Sequence, residues 1–154
     1  MARYGAGVSR SGINTANTAY FNLFGGTAER LLVRQVTMSI SVAPTTAPVF
    51  YLVRTTARGT QASTLAGQPF DTADVVAIAT LDVCGTGASQ PTFTNTNLIT
   101  TGALAITAGG SYVWSFWDIP LIVPATASNG LAIANVNASG ATTGTFVGSF
   151  IWDE

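Results

Sequence analysis

Apolar and polar residues alternate over short stretches along most of this chain. Val36, Met38, Ile40 and Val42 alternate with Thr37, Ser39 and Ser41, the period of two expected of a strand with one buried face. Similar runs of β-branched and aromatic residues, punctuated by Gly, Pro, Asn and Ser, predict strands at 20–24, 31–42, 49–56, 75–83, 92–96, 103–107, 111–123, 130–137 and 143–152. Just before Val36 the alternation slips at Arg34 and Gln35, which predicts a β-bulge there, because one extra residue switches the face that side chains occupy. Gly109-Gly110 and Asn129-Gly130 predict turns, the second a hairpin, since glycine and asparagine accept positive φ.

The segment 111–117, SYVWSFW, places Tyr112, Trp114 and Phe116 on one face and Val113 and Trp117 on the other. Both faces are thus expected to be covered, in a central strand or an interface strand. Each large aromatic buries roughly 150–250 Å², or about 4 to 6 kcal/mol at ~25 cal/mol per Å². That favours a core role for Tyr112, Trp114, Phe116 and Trp117, or a place at a subunit interface, over a ligand-stacking platform.

Two stretches test the all-β reading. Residues 71–83 open with helix-capping Asp71 and Thr72 and place Val75, Ile78 and Leu81 at helical spacing, but the Val75-Val76-x-Ile78 run favours strand. Residues 27–32 are compatible with one helical turn, and 57–70 form a long polar connection. Residues 1–18 lack a sustained apolar period and are rich in Gly, Ser, Asn and Thr. They are expected to be an extended N-terminal arm, ordered only against a partner, with a frayed terminus as the plain alternative. Residues 19–154 then form a single domain: an antiparallel two-sheet sandwich, jelly-roll-like as first choice and another sandwich as second.

Composition sharpens this picture. Of the 154 residues 47% are hydrophobic and only 8% charged, against about 25% charged in a typical soluble chain. No run reaches the ~18 apolar residues of a membrane span, because 113–127 is interrupted by Ser115, Asp118, Pro120 and Pro124. No apolar stretch follows Arg3 and Arg10, so no cleavable leader is expected, and synthesis in a cytoplasm is. So few charges, and no lysine to guard strand edges, lead to the expectation of burial in an assembly. The first 58 residues hold all six arginines and one acid, net +5, and the remainder holds six acids, net −6. Either this asymmetry steers partners together or folding mixes the charges over one surface. A pI near 5.1 without a basic cluster argues against nucleic acid as a partner.

Much chemistry is excluded by residue type. Histidine and lysine are absent, which removes His-based triads, His zinc sites, phosphate-loop lysines and Schiff bases. Cys84 is the only cysteine: it makes no intrachain disulfide, is expected as a small buried residue beside a turn, and is a poor nucleophile. Asp71 and Asp74 are the closest carboxylate pair and are expected to cap a turn; Asp118 is expected at a strand end or between strands. Gly5-Ala6-Gly7 and Gly85-Thr86-Gly87 complete no phosphate-binding motif, and the Asn137-Ala138-Ser139 sequon has no secretory context.

The runs GGTAERLLVRQVTMSISV, PVFYLVR, GGSYVWSFWDIPLIVP, NGLAI and the terminal FIWDE, within residues 20–154, resemble small β-sandwich virion proteins of tailed bacteriophages. Within that group they look most like head decoration, or cement, proteins. The resemblance lies in hydrophobic pattern and turns. It implies a jelly-roll-like subunit, commonly a homotrimer, on the outer surface of the capsid, where it bridges subunits of the major capsid protein; no family site transfers residue by residue. On this reading the arm 2–18 docks to the shell, with Arg3 and Arg10 giving charge-assisted hydrogen bonds and Tyr4 an aromatic anchor. No catalytic residue, cofactor, metal or membrane is expected. The main alternative is a tail-fibre or baseplate domain that binds host-surface carbohydrate through Tyr112, Trp114 or Trp117. A carboxylate hydrolase using Asp71, Asp74 or Asp118 is a third class.

Overall fold

The structure, a computed structural model, describes residues 1–11, 17–85, 90–94, 98–135 and 143–154. The sequon at 137–139, most of the Gly85-Thr86-Gly87 turn and the ends of the strands expected at 92–96 and 130–137 lie outside the described residues. Among the described residues there are no helices and twelve strands: β1 (Arg3–Ser11), β2 (Thr18–Phe24), β3 (Leu31–Val42), β4 (Val49–Thr55), β5 (Gln61–Ala66), β6 (Gln68–Pro69), β7 (Thr80–Cys84), β8 (Leu98–Ala103), β9 (Ser111–Ser115), β10 (Leu121–Val123), β11 (Gly130–Asn135) and β12 (Thr145–Asp153).

The chain behaves as one long hairpin whose legs pair from the ends inward. β1 pairs with β12, β2 with β11, β3 with β9 and β10, and β4 with β8, all antiparallel. Rolling that hairpin up adds the β3–β12 and β4–β11 pairings. Two sheets result, β9/β10-β3-β12-β1-β6 and β5-β7-β2-β11-β4-β8, in the nested pairing of a jelly roll. The excursion between β4 and β8 extends both sheets on one side: β6 pairs with β1 in one sheet, while in the other β7 pairs with β2 and β5 with β7.

Alternation fills the space between the sheets. Val33, Val36, Met38 and Ile40 of β3 and Phe146, Phe150 and Trp152 of β12 face Phe21, Leu23, Phe50, Leu52, Leu131 and Ile133 of the other sheet in one core. Tyr20, Phe50 and Phe146 meet edge to face, with ring centroids 4.8 to 5.7 Å apart, a geometry that aromatic quadrupoles favour. The bulge expected at Arg34 and Gln35 is present: Ile151 lies opposite Gln35 and Trp152 opposite Val33, so Arg34 is the extra residue.

The N-terminal arm is the main correction. Residues 3–11 form β1, inside a sheet between β12 and β6. Tyr4, Ala6, Val8 and Arg10 point inward with period two while Gly5, Gly7 and Ser9 point outward, so small outward residues hid a true strand. Residues 57–70, expected to be a connection, contain β5 and β6. The strand expected at 75–83 shortens to β7, preceded by a turn, and that expected at 103–107 lies earlier, as β8. Residues 111–123 break into β9 and β10, and β9 lies at a sheet margin, not its centre. Asn129-Gly130 closes no hairpin, because β10 and β11 belong to different sheets. Gly130 instead sits where a Cβ would lie 2.6 Å from Asn22 Oδ1 and 2.7 Å from Thr55 Oγ1.

Strand directions define two poles. Residues 43–48 and 104–110 join strand ends at one pole, where β1 and β11 also end and β2 and β12 begin; residues 25–30, 116–120 and 124–129 and both chain ends belong to the other.

Candidate functional site

The charged residues are distributed unevenly over this frame. No Asp, Glu, Lys or Arg occurs in the two described connections of the first pole, 43–48 and 104–110. Arg10, whose strand ends there, is buried: it donates to the Ala19 carbonyl and lies over the Tyr20 ring at 5.7 Å. Burial lowers its pKa, the nearby Cys84 and Tyr20 opposing. Burial likewise pushes the Cys84 thiol up to about 12, Arg10 opposing and Asp82 adding to the effect, so the thiolate needed for nucleophilic chemistry is not formed at neutral pH.

At the opposite pole, Asp153 of β12 accepts from Arg3 Nε at 2.7 Å and Arg34 Nε at 2.8 Å. The bulge that turns Arg34 outward is what brings it to Asp153. Burial disfavours the Asp153 charge, but the two guanidinium groups outweigh it and hold the carboxyl below its ordinary range. Arg34 also donates to the Trp117 carbonyl, and the Arg3 guanidinium lies 5.0 Å from the Trp117 ring centroid. Trp117 remains 43% exposed and Ile119 82%, on a shallow depression of about 420 Å³ formed with Ser115, Phe116 and Asp118. Glu154, which belongs to no motif in the sequence, accepts from the Ile78 and Ala79 amides and from Trp152 Nε1, each at 2.9 Å. It fastens the excursion that carries β5 and β6 to the end of the chain.

A second ion pair spans the outer face of the β2 sheet. Arg58 donates to both carboxylate oxygens of Asp82 at 2.7 Å and to Thr80 Oγ1 at 3.0 Å, with its guanidinium 4.8 Å from the Phe24 ring centroid. Next to it Thr56 and Ala57 pair with Thr92, and Phe93 covers a small apolar cluster of Ala19, Val53, Cys84, Ala132 and Ala134. The chain therefore covers much of this outer face itself.

The structure separates the residues expected to act together. Tyr4 is buried, stacked on Trp152 at 6.2 Å, and Arg10 is buried at the other end of the same strand. Neither can dock to a shell as an arm; only Arg3 of that trio reaches the surface. Trp114 is core, Tyr112 and Phe116 are partly buried against it, and Trp117 faces out. The expected division of Tyr112, Trp114 and Phe116 from Trp117 is thus present. Asp71 caps a turn as expected, accepting from the Ala73 amide at 2.9 Å, and Asp118 lies exposed in the bend after β9. Among the described residues no three Cys, Asp or Glu side chains gather to hold a metal ion, and no helix is long and apolar enough to cross a membrane.

The uncharged pole carries exposed apolar and hydroxyl side chains. Val42 and Ile106 are each at least half exposed, and Thr45, Thr46 and Thr107 lie beside them in sequence. Its loops are tied together: the Leu104 amide donates to the Pro48 carbonyl, the Gly109 amide to Ile40, and the Thr143 and Thr45 hydroxyls lie 3.1 Å apart. Comparison with protein-family models, curated proteins and solved structures found no match.

Proposed function

We propose that this protein is a structural virion protein, a capsid decoration or cement subunit that self-associates, binds the outer surface of a phage head and bridges subunits of the major capsid protein. The observation that carries this reading is the polarity of the sandwich: at one pole the described connections 43–48 and 104–110 hold no charged residue and Arg10, whose strand ends there, is buried, whereas the other pole holds most of the charged residues. An uncharged pole sheds water cheaply on docking, whereas burying an unpaired ion costs several kcal/mol. The charged pole then faces solvent and keeps the decorated particle dispersed. Preformed, mutually bonded loops limit the ordering cost of docking, and repetition around a shell multiplies weak contacts. The resemblance to cement proteins supports the same assignment.

The test is occupancy on heads stripped of the protein and then incubated with it. Ile106→Asp combined with Thr45→Asp should lower affinity by about tenfold or more, equivalent to ~1.4 kcal/mol or above, and Asp71→Asn with Asp74→Asn should not. Equal occupancy by all forms would refute the docking pole.

Exposed Trp117, held by Arg3 and flanked by Asp118, favours one second reading, a tail-fibre or baseplate domain binding host carbohydrate. Glycan-array binding that is lost in Trp117→Ala, with no head occupancy, would replace the first reading by this one.

A further inference from the structure

The two outer faces of the sandwich are treated differently by the chain. That of the β2 sheet is crossed by residues 56–60 and 90–94 and clamped by Arg58 and Asp82, whereas that of the β12 sheet is left largely bare by the described residues. The bare face is built from outward positions of β1, β12, β3 and β9, including Gly7, Ser9, Ser149, Thr37, Ser39 and Val113. Above the Arg3–Asp153–Arg34 cluster it carries no charged side chain. Its hydroxyls and glycines lose little side-chain entropy on burial, and Val113, Trp117 and Ile122 stand exposed along one margin.

We infer that this face is the self-association surface and that its occupant is the same face of a second copy, related by a two-fold axis. The inference rests on the reading of the chain as a self-associating protein and deepens it. Size supports the assignment: β1, β12, β3 and the β9/β10 margin make four rows at ~4.8 Å, and nine residues at ~3.4 Å then give about 600 Å² per copy, so that two copies bury about 1,200 Å², the lower end of stable interfaces. Charge supports it too. Like faces meet in a two-fold contact, so a charged face would oppose itself, and this one places neutral hydroxyls against neutral hydroxyls. Packed sheets align within about 30° of each other, which lets a flat face of small residues interlock. A two-fold contact builds assemblies of even copy number, in place of the trimer that the resemblance implies.

Ser149 is the fifth of nine residues of β12, which lies between β1 and β3 within this face, so in the paired form it lies near the axis and meets its own counterpart. Sedimentation velocity over a concentration series should give two chains for the wild type and for Ser149→Ala. Ser149→Lys should give one chain, with association weakened at least about a hundredfold by two apposed ammonium groups. Ala62→Lys, on the far edge strand β5, should still give two. Should Ser149→Lys fail to fold, Ser149→Cys provides the second measurement, and an intermolecular disulfide should form on mild oxidation and be seen on a non-reducing gel. A wild-type monomer, a trimer, a Ser149→Lys dimer, or folded Ser149→Cys that never cross-links would each overturn the assignment. Because head occupancy is read separately, self-association through another surface would sink this inference and leave the proposed function standing.

Discussion

Asp153 shows how a single side chain sets the acid limit of the fold. Its folded pKa lies below the ordinary 3.8 because Arg3 and Arg34 hydrogen-bond the carboxylate, despite burial working the other way. An unfolded chain therefore takes up this proton at higher pH than the folded one. The stabilisation is complete above the unfolded value and is lost as pH falls through the lowered folded value. Asp153→Asn should cost about 2 to 3 kcal/mol near neutral pH, since the amide keeps one acceptor oxygen for one arginine and turns an NH2 donor towards the other. It should also flatten the acid limb of a plot of Tm against pH; an unchanged limb would show that another carboxylate governs it. The same residues show where single-residue reading failed. Arg3, Tyr4 and Arg10 looked like one outward set because all are large and lie in a glycine-rich stretch. Parity within β1 decides otherwise, sending Tyr4 and Arg10 inward and Arg3 outward. Val113 and Trp114, neighbours divided between faces, were legible from parity because β9 alternates regularly.

At the scale of elements, what could be read was what periodicity encodes. The boundaries of β3 and its bulge follow from the slip at Arg34 and Gln35, two consecutive residues that face outward. β1 stayed hidden because its outward residues are Gly and Ser, which signal turns in isolation, and because its partner lies at the far end of the chain. Asn129-Gly130 misled for a related reason: local turn preference was satisfied, but the glycine is required by close approach to Asn22 and Thr55. Close approach also decides Gly148 of β12, where an added Cβ would lie 2.3 Å from Cδ2 of the fully buried Phe21. Gly148→Ala should therefore destabilise by about 3 kcal/mol, the upper part of the overpacking range. Gly7→Ala, on the adjacent strand but facing outward with its nearest neighbour at 3.8 Å, should change stability by less than about 0.5 kcal/mol. Urea denaturation of the two variants provides the comparison, and equal effects would mean that the inter-sheet gap is looser than the distances imply.

For the molecule as a whole, nested pairing makes the first strand wait for the last. β1 and β3 flank β12, so the sheet that contains them is continuous only when residues 145–153 are in place. The same strand supplies Phe146 and Phe150 to the core and Trp152 to the stack with Tyr4. Contacts of such sequence separation incur loop-closure entropy before they stabilise anything, which places folding on the order of milliseconds to seconds or slower. During that interval a chain with 8% charged residues and no lysine has little electrostatic protection for its unpaired strands. Refolding yield should therefore fall with protein concentration, and tryptophan fluorescence should report recovery on that slow timescale. A chain ending at residue 144 lacks the shared partner of β1 and β3 and should show no cooperative thermal transition by circular dichroism. A sharp melt of that truncated chain would mean that the β2 sheet and the remaining strands are stable alone, and that closure by β12 is a late addition rather than the condition for folding.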